Sequence, residues 1–193
     1  MPLKQRLGLP TAVSVAVFCF AAPLAYAIVR PVEVLQSVAG FACANKRACA
    51  EDPSRLAEAS ALYESAAEFL ALSVAPLQRQ PLAVFCSTPS CYAFTGESGS
   101  AAKTVGRFVI VISPRGWKPY IVRHEMIHRL QSEKLGVFGM YAKPEWFVEG
   151  MAYALSQDPR NPLIEPFETD RATFREWYAV VGKERLWSTP PNP

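Results

Sequence analysis

The two histidines of this 193-residue chain stand four positions apart, at His124 and His128, and Glu125 directly follows the first. Two histidines placed at random fall four apart about 1% of the time, and requiring Glu after the first lowers this to roughly 0.1%. Positions i and i+4 share one face of a helix, so HEMIH must be helical if the two imidazoles are to act together. The surroundings agree. Ile121, Met126, Ile127 and Leu130 are apolar, whereas Arg123, Arg129, Glu133 and Lys134 are polar. This pattern predicts a buried helix with a charged outer edge, opened by Gly116, running from Trp117 to about Leu135 and closed by Gly136.

Neutral imidazole nitrogens suit a zinc ion, and two of them converging from one helix face supply half of a tetrahedral set. Glu125 projects beside such an ion, where it can take a proton from an activated water. A catalytic site needs a third protein ligand and leaves the fourth position open. Glu149 is the first candidate. It lies 21 residues after His128 in Pro144-Glu145-Trp146-Phe147-Val148-Glu149-Gly150-Met151-Ala152, a segment predicted as a helix to about Gln157, with Pro144 at its first position. Gly150 in mid-helix points to close backbone approach. Glu145, one turn earlier, is the rival, although an acid in a first turn is already explained by the helix dipole.

HEMIH followed by WFVEGMA resembles the gluzincin group of zinc metallopeptidases, nearest to the aminopeptidase N-like pattern of HExxH and a later W-x-x-E-G-x-A helix. The resemblance spans about 45 residues, Arg107 to Ala152. It implies one Zn2+ per chain held by His124, His128 and Glu149, with Glu125 as general base, a peptide or protein substrate, and a zincin-like α+β fold. It also implies that the strand before the helix, Arg107–Ile112, is an edge strand pairing with extended substrate. The pattern departs in places. No G-x-M-E-N signature precedes the helix, so aminopeptidase activity is not implied. Tyr153 stands where thermolysin-like members carry Asp, which leaves the group orienting the histidines unassigned. With no third histidine, a tyrosine must steady the oxyanion: Tyr178 is ranked first, ahead of Tyr141 and Tyr153. A second reading is a cell-envelope binding or assembly protein that keeps the scaffold without turnover.

The remaining elements read as α+β with a small antiparallel sheet. A short helical stripe is predicted at Val34, Leu35, Val38 and Phe41. A longer helix is capped by Asp52, has Pro53 at its first position, and buries Leu56, Ala59, Tyr63, Ala66 and Leu70. Leu82–Cys86 and Cys91–Thr95 read as a hairpin, residues 96–106 as a loop, residues 136–143 as a loop, and Thr169–Val181 as a last helix. Residues 188–193 read as a frayed tail.

Residues 1–27 have the form of an export signal: Lys4 and Arg6, an apolar run, and Ala25-Tyr26-Ala27 as cleavage site. The uncharged stretch Leu7–Val29 is also long enough to act as an anchor, and in either case the 28–187 domain is exported. Without residues 1–27 the net charge falls from +3 to +1. There is no basic stripe, which argues against a nucleic-acid partner. Membrane contact is expected only through residues 7–29, if they are retained. Export leaves four cysteines. Local pairs, Cys43–Cys49 and Cys86–Cys91, are preferred over the other pairings, free thiols or a four-cysteine metal site that lacks C-x-x-C spacing.

Overall fold

Asp52 and Pro53 begin the first long helix as their chemistry requires. The Asp52 carboxylate accepts the backbone N–H of Ser54 at 2.9 Å, Pro53–Arg55 form a 3-10 turn, and α1 follows over Leu56–Ser73. Its buried positions are Ala59, Tyr63, Ala66 and Leu70, with Leu56 partly covered. The computed structural model of the chain describes residues 40–93, 95, 99–105, 108–188 and 190–191. The signal or anchor segment, Cys19 and the stripe at Val34, Leu35 and Val38 lie outside the described residues. Phe41, read as the end of that stripe, instead leads directly into a strand.

The strands are β1 (Ala42–Ala44), β2 (Ala48–Ala50), β3 (Leu82–Phe85), β4 (Ala102–Val105) and β5 (Val109–Ile112). They form one sheet in the order β1-β2-β3-β5-β4. It is mixed rather than antiparallel. β2, β3 and β5 run parallel, and β1 and β4 are antiparallel to their neighbours. The reason lies in the connections. α1 carries the chain from β2 back to β3, and a crossover of this length returns a strand parallel. The expected hairpin partner, Cys91–Thr95, is not a strand. Pro89–Ala93 form the short helix α2, because Pro89 has a helical φ preset and the Thr88 hydroxyl accepts the N–H of Cys91 at 3.2 Å.

The β5 core, Val109–Ile112, lies between β3 and β4, with Ile110, Val111 and Ile112 fully buried. It is therefore an inner strand. The edge strand beside β5 is β4, in the segment read as a loop. Both local disulfides form, Cys43–Cys49 across β1 and β2 and Cys86–Cys91 around the start of α2, consistent with an oxidising compartment. Among the described residues no helix is long and apolar enough to cross a membrane.

Gly116 turns the chain from β5 towards α3, Pro119–Leu135. A Cβ at 116 would sit 2.1 Å from the Ala101 carbonyl oxygen, so only glycine lets the start of this turn press against the start of β4. Trp117 secures the entry to α3 by donating its indole N–H to the Cys86 carbonyl at 2.8 Å. α3 packs on α1, on the sheet and on α5, which spans Glu145–Leu155. Its expected charged edge is partly interior. Arg129 and Glu133 pair at 2.9 Å, Arg129 donates to the Arg79 carbonyl and Glu133 accepts the N–H of Gln78.

Residues Val137–Tyr141, read as loop, form the short helix α4. The last long helix, α6, spans Phe167–Val181 and lies against α5. The two approach so closely that a Cβ on Gly150 would stand 2.3 Å from the Asp170 carbonyl oxygen and 3.0 Å from Cβ of Phe174. The close approach expected at Gly150 is thus real, and it is made to α6. The Pro191 carbonyl accepts Lys143 Nζ at 2.9 Å, so this part of the expected tail is docked.

Candidate metal centre

α3 buries both histidines and Glu125. Their Nε2 atoms lie 3.0 Å apart, His124 to His128, as one helical turn between imidazoles on one face allows. Glu149 reaches them from α5. One of its carboxylate oxygens is 3.5 Å from Nε2 of His124 and the other is 3.3 Å from Nε2 of His128. The three side chains each offer a ligand atom, all within 4.8 Å of one another, and can hold a metal ion. Glu145, the rival acid, lines the same cleft but is exposed and lies outside this cluster.

The charges of the group are mutually dependent. Burial opposes a charged His128, but the Glu149 carboxylate, with help from Glu125 and Gln131, outweighs it and raises the imidazole to about 9. Burial likewise opposes a charged Glu149, yet the two imidazoles hold its carboxyl far below the usual carboxylate range.

The group that orients His128 is Gln131, which sequence reasoning missed. Its amide oxygen is 2.8 Å from Nδ1 of His128, and its amide nitrogen donates to the Val148 carbonyl at 2.9 Å. Nδ1 then carries the proton, and the Nε2 lone pair is left for an ion. The sequence signal is a glutamine one turn after His128 on the face that carries both histidines.

Glu125 points to the edge strand. The Thr104 hydroxyl, on β4, lies 2.7 Å from Oε2 of Glu125 and 3.0 Å from its main-chain oxygen. Tyr178 is not at the site. It stacks on Phe174, ring centroids 5.4 Å apart, and does not line the cleft, because the α6 face that carries it packs on α5. Tyr153 is at the site, its ring 4.5 Å from that of His124. Burial first, then the Glu149 charge, push its phenol up to about 12, so it remains a hydrogen-bond donor. Tyr141 also lines the cleft but is largely exposed.

The cleft has a volume of about 940 Å³. β4 forms one wall through Ala102, Lys103 and Thr104, and α3 and α5 contribute the His–His–Glu group. In comparisons with known proteins, no family model matches the chain, and no curated protein or solved structure gives a significant match.

Proposed function

We propose that this chain is an exported, zinc-dependent metallopeptidase of the gluzincin kind, with a zincin-like domain over residues 28–187. The observation that carries the reading is the arrival of Glu149, from a separate helix, at the two imidazoles of HEMIH, with Glu125 and an edge strand on the same cleft. The spacing of the donors supports zinc. Tetrahedral bonds of about 2.0–2.1 Å put ligand atoms roughly 3.3–3.4 Å apart. The two imidazole nitrogens are 3.0 Å apart and each has a Glu149 oxygen, one Oε2 and the other Oε1, at 3.5 and 3.3 Å, so the group is compact enough for such a set. Three protein ligands also leave one position open, as catalysis requires. Export is supported by the two disulfides.

Zinc bound here would polarise a peptide carbonyl and make water a better nucleophile. The remaining work belongs to the chain. β4 offers backbone groups along the cleft, so an extended peptide can add to the sheet beside it. Glu125 takes the proton of the attacking water and passes it to the leaving amine, while Thr104 holds its carboxylate in line. Tyr153 donates its phenolic proton in a hydrogen bond to the oxyanion as charge develops there.

The test is digestion of a peptide library by the wild type and by Glu125→Gln, each with its metal content measured. One zinc per chain in both, with cleavage only by the wild type, supports the reading. Zinc without cleavage in either would leave the chain a binding protein on a metal-bearing scaffold. Full activity in Glu125→Gln would exclude the hydrolytic mechanism.

A further inference from the structure

The cleft is charged unevenly along its length. Its described acids, Glu125, Glu145 and Glu149, stand on α3 and α5 at or beside the metal-binding group. Of its cations, Lys103 stands on β4 in the same wall as Thr104, and the other three lie elsewhere. Arg115 and Lys118 precede α3, and Arg160 follows α5. No acid occupies the first turn of α3 to offset the first two. Tyr120 ties this end together, because the Lys118 ammonium lies 5.9 Å from its ring centroid and the Arg160 guanidinium 5.3 Å.

Arg160 is the fixed member. The buried Asp158 carboxylate grips it by Nε and by one terminal nitrogen, and its guanidinium also lies 5.8 Å from the Tyr153 ring. Asp158 offsets part of its charge, but Arg115 and Lys118 have no such counter-ion among the described residues that line the cleft. The Tyr153 ring neighbours both ends of the stretch from Arg160 to His124, 5.8 Å from the Arg160 guanidinium and 4.5 Å from the His124 ring. An extended peptide at ~3.3 Å per residue crosses that gap in about three residues.

We infer that this end of the cleft is a subsite for carboxylates, so that the preferred ligands are peptides with an acidic group within about three residues of the reacting bond, on one side only. The inference rests on the peptidase reading for its geometry. A carboxylate here gains two exposed cations and a fixed guanidinium, whereas its amide isostere gains none of their charge. The carboxylate can come from an Asp or Glu side chain or from the chain terminus.

The experiment is equilibrium binding of fluorescent peptides to the zinc-loaded full chain carrying Glu125→Gln, followed by anisotropy. The peptides carry Glu or Gln at each of three positions on either side of a central bond, and each ends in a free carboxylate or an amide. The expected result is that Glu binds about threefold to tenfold tighter than Gln on one side, an advantage that shrinks in about 0.5 M salt. If only the free-acid peptides gain, the group recognised is the chain terminus; a gain in amidated peptides assigns it to side chains. Adding Lys118→Gln or Arg115→Gln, both at exposed positions, should bring the Glu-to-Gln ratio towards one. Arg160→Gln should do so more strongly. Equal binding of Glu and Gln peptides together with equal binding of free-acid and amidated ones, or a preference unmoved by these substitutions, would overturn the subsite. Because binding is read without turnover, failure of the wild type to cleave any peptide would count against the peptidase reading alone.

Discussion

The amide oxygen of Gln131 lies 2.8 Å from Nδ1 of His128. The same side chain donates to the carbonyl of Val148, the residue before Glu149. One buried glutamine therefore links the helix that carries two members of the metal-binding group to the helix that carries the third. Replacing it with methionine keeps much of the volume and removes both the acceptor and the donor. Gln131→Met should weaken zinc binding about 10- to 100-fold, measured by chelator competition, with the circular dichroism spectrum retained. Unchanged affinity would reduce Gln131 to a packing residue.

Glu149→Ala should cost most of the metal affinity, because two histidines alone leave too few ligands. Glu145→Ala should leave zinc content intact, since Glu145 is exposed and outside the three-residue cluster. Metal analysis after dialysis separates the two. Loss of zinc in Glu145→Ala with retention in Glu149→Ala would reverse the ligand assignment and remove the resemblance built on it.

His128 sets a pH dependence whose sign is fixed. Its imidazole is raised from 6.5 to about 9 by Glu149 and its neighbours against the opposing effect of burial. In chelator-treated protein the charged imidazole contributes stability that is complete below about 6.5 and lost as pH rises towards about 9. Glu149, whose carboxyl is lowered, contributes above its ordinary range and loses that contribution only in strong acid. Zinc must displace the proton on His128, so metal affinity should climb over the same 6.5–9 window. Urea melts of the chelated protein and zinc titrations at several pH values measure both slopes. A metal-free stability that rises from pH 6.5 to 9 would contradict the assignment.

Thr104→Val should lower kcat on a cleaved peptide by about tenfold or more, because a hydrogen bond to a charged carboxylate is worth about 1.5–3 kcal/mol. Thr104→Ser keeps the hydroxyl and should recover most of the rate. Zinc content should be the same in both variants. Equal kcat for Val and Thr would show that Glu125 needs no support from β4.

Much of the site is legible in the sequence because helical spacing is a local property. His124, His128 and Glu149 converge as their intervals predict, and the Asp52 cap and both disulfides depend on neighbours a few residues away. What escaped depends on pairing and packing that the local pattern does not display. Ala102–Val105 reads as the end of a polar loop, and it becomes an edge strand only because β5 lies beside it. Tyr153 and Tyr178 are alike as letters. Which one reaches His124 is decided by the faces that α5 and α6 turn to each other. Arg129 and Glu133 look like a solvated helix edge until Gln78 and Arg79 fold over them.

The bare Cα of Gly150 has a consequence for how this sequence can vary. Any side chain at 150 must push α5 and the Asp170 carbonyl of α6 apart, and α5 carries Glu149 on the preceding residue. Overpacking of this kind commonly costs about 1–3 kcal/mol, and here the displacement would fall on the helix that supplies the third metal-binding side chain. A saturation library selected for function should thus be nearly as intolerant at 150 as at 149, although one position holds the chemistry and the other holds no side chain at all. In descendants of this sequence, Glu149 and Gly150 would be inherited as a pair.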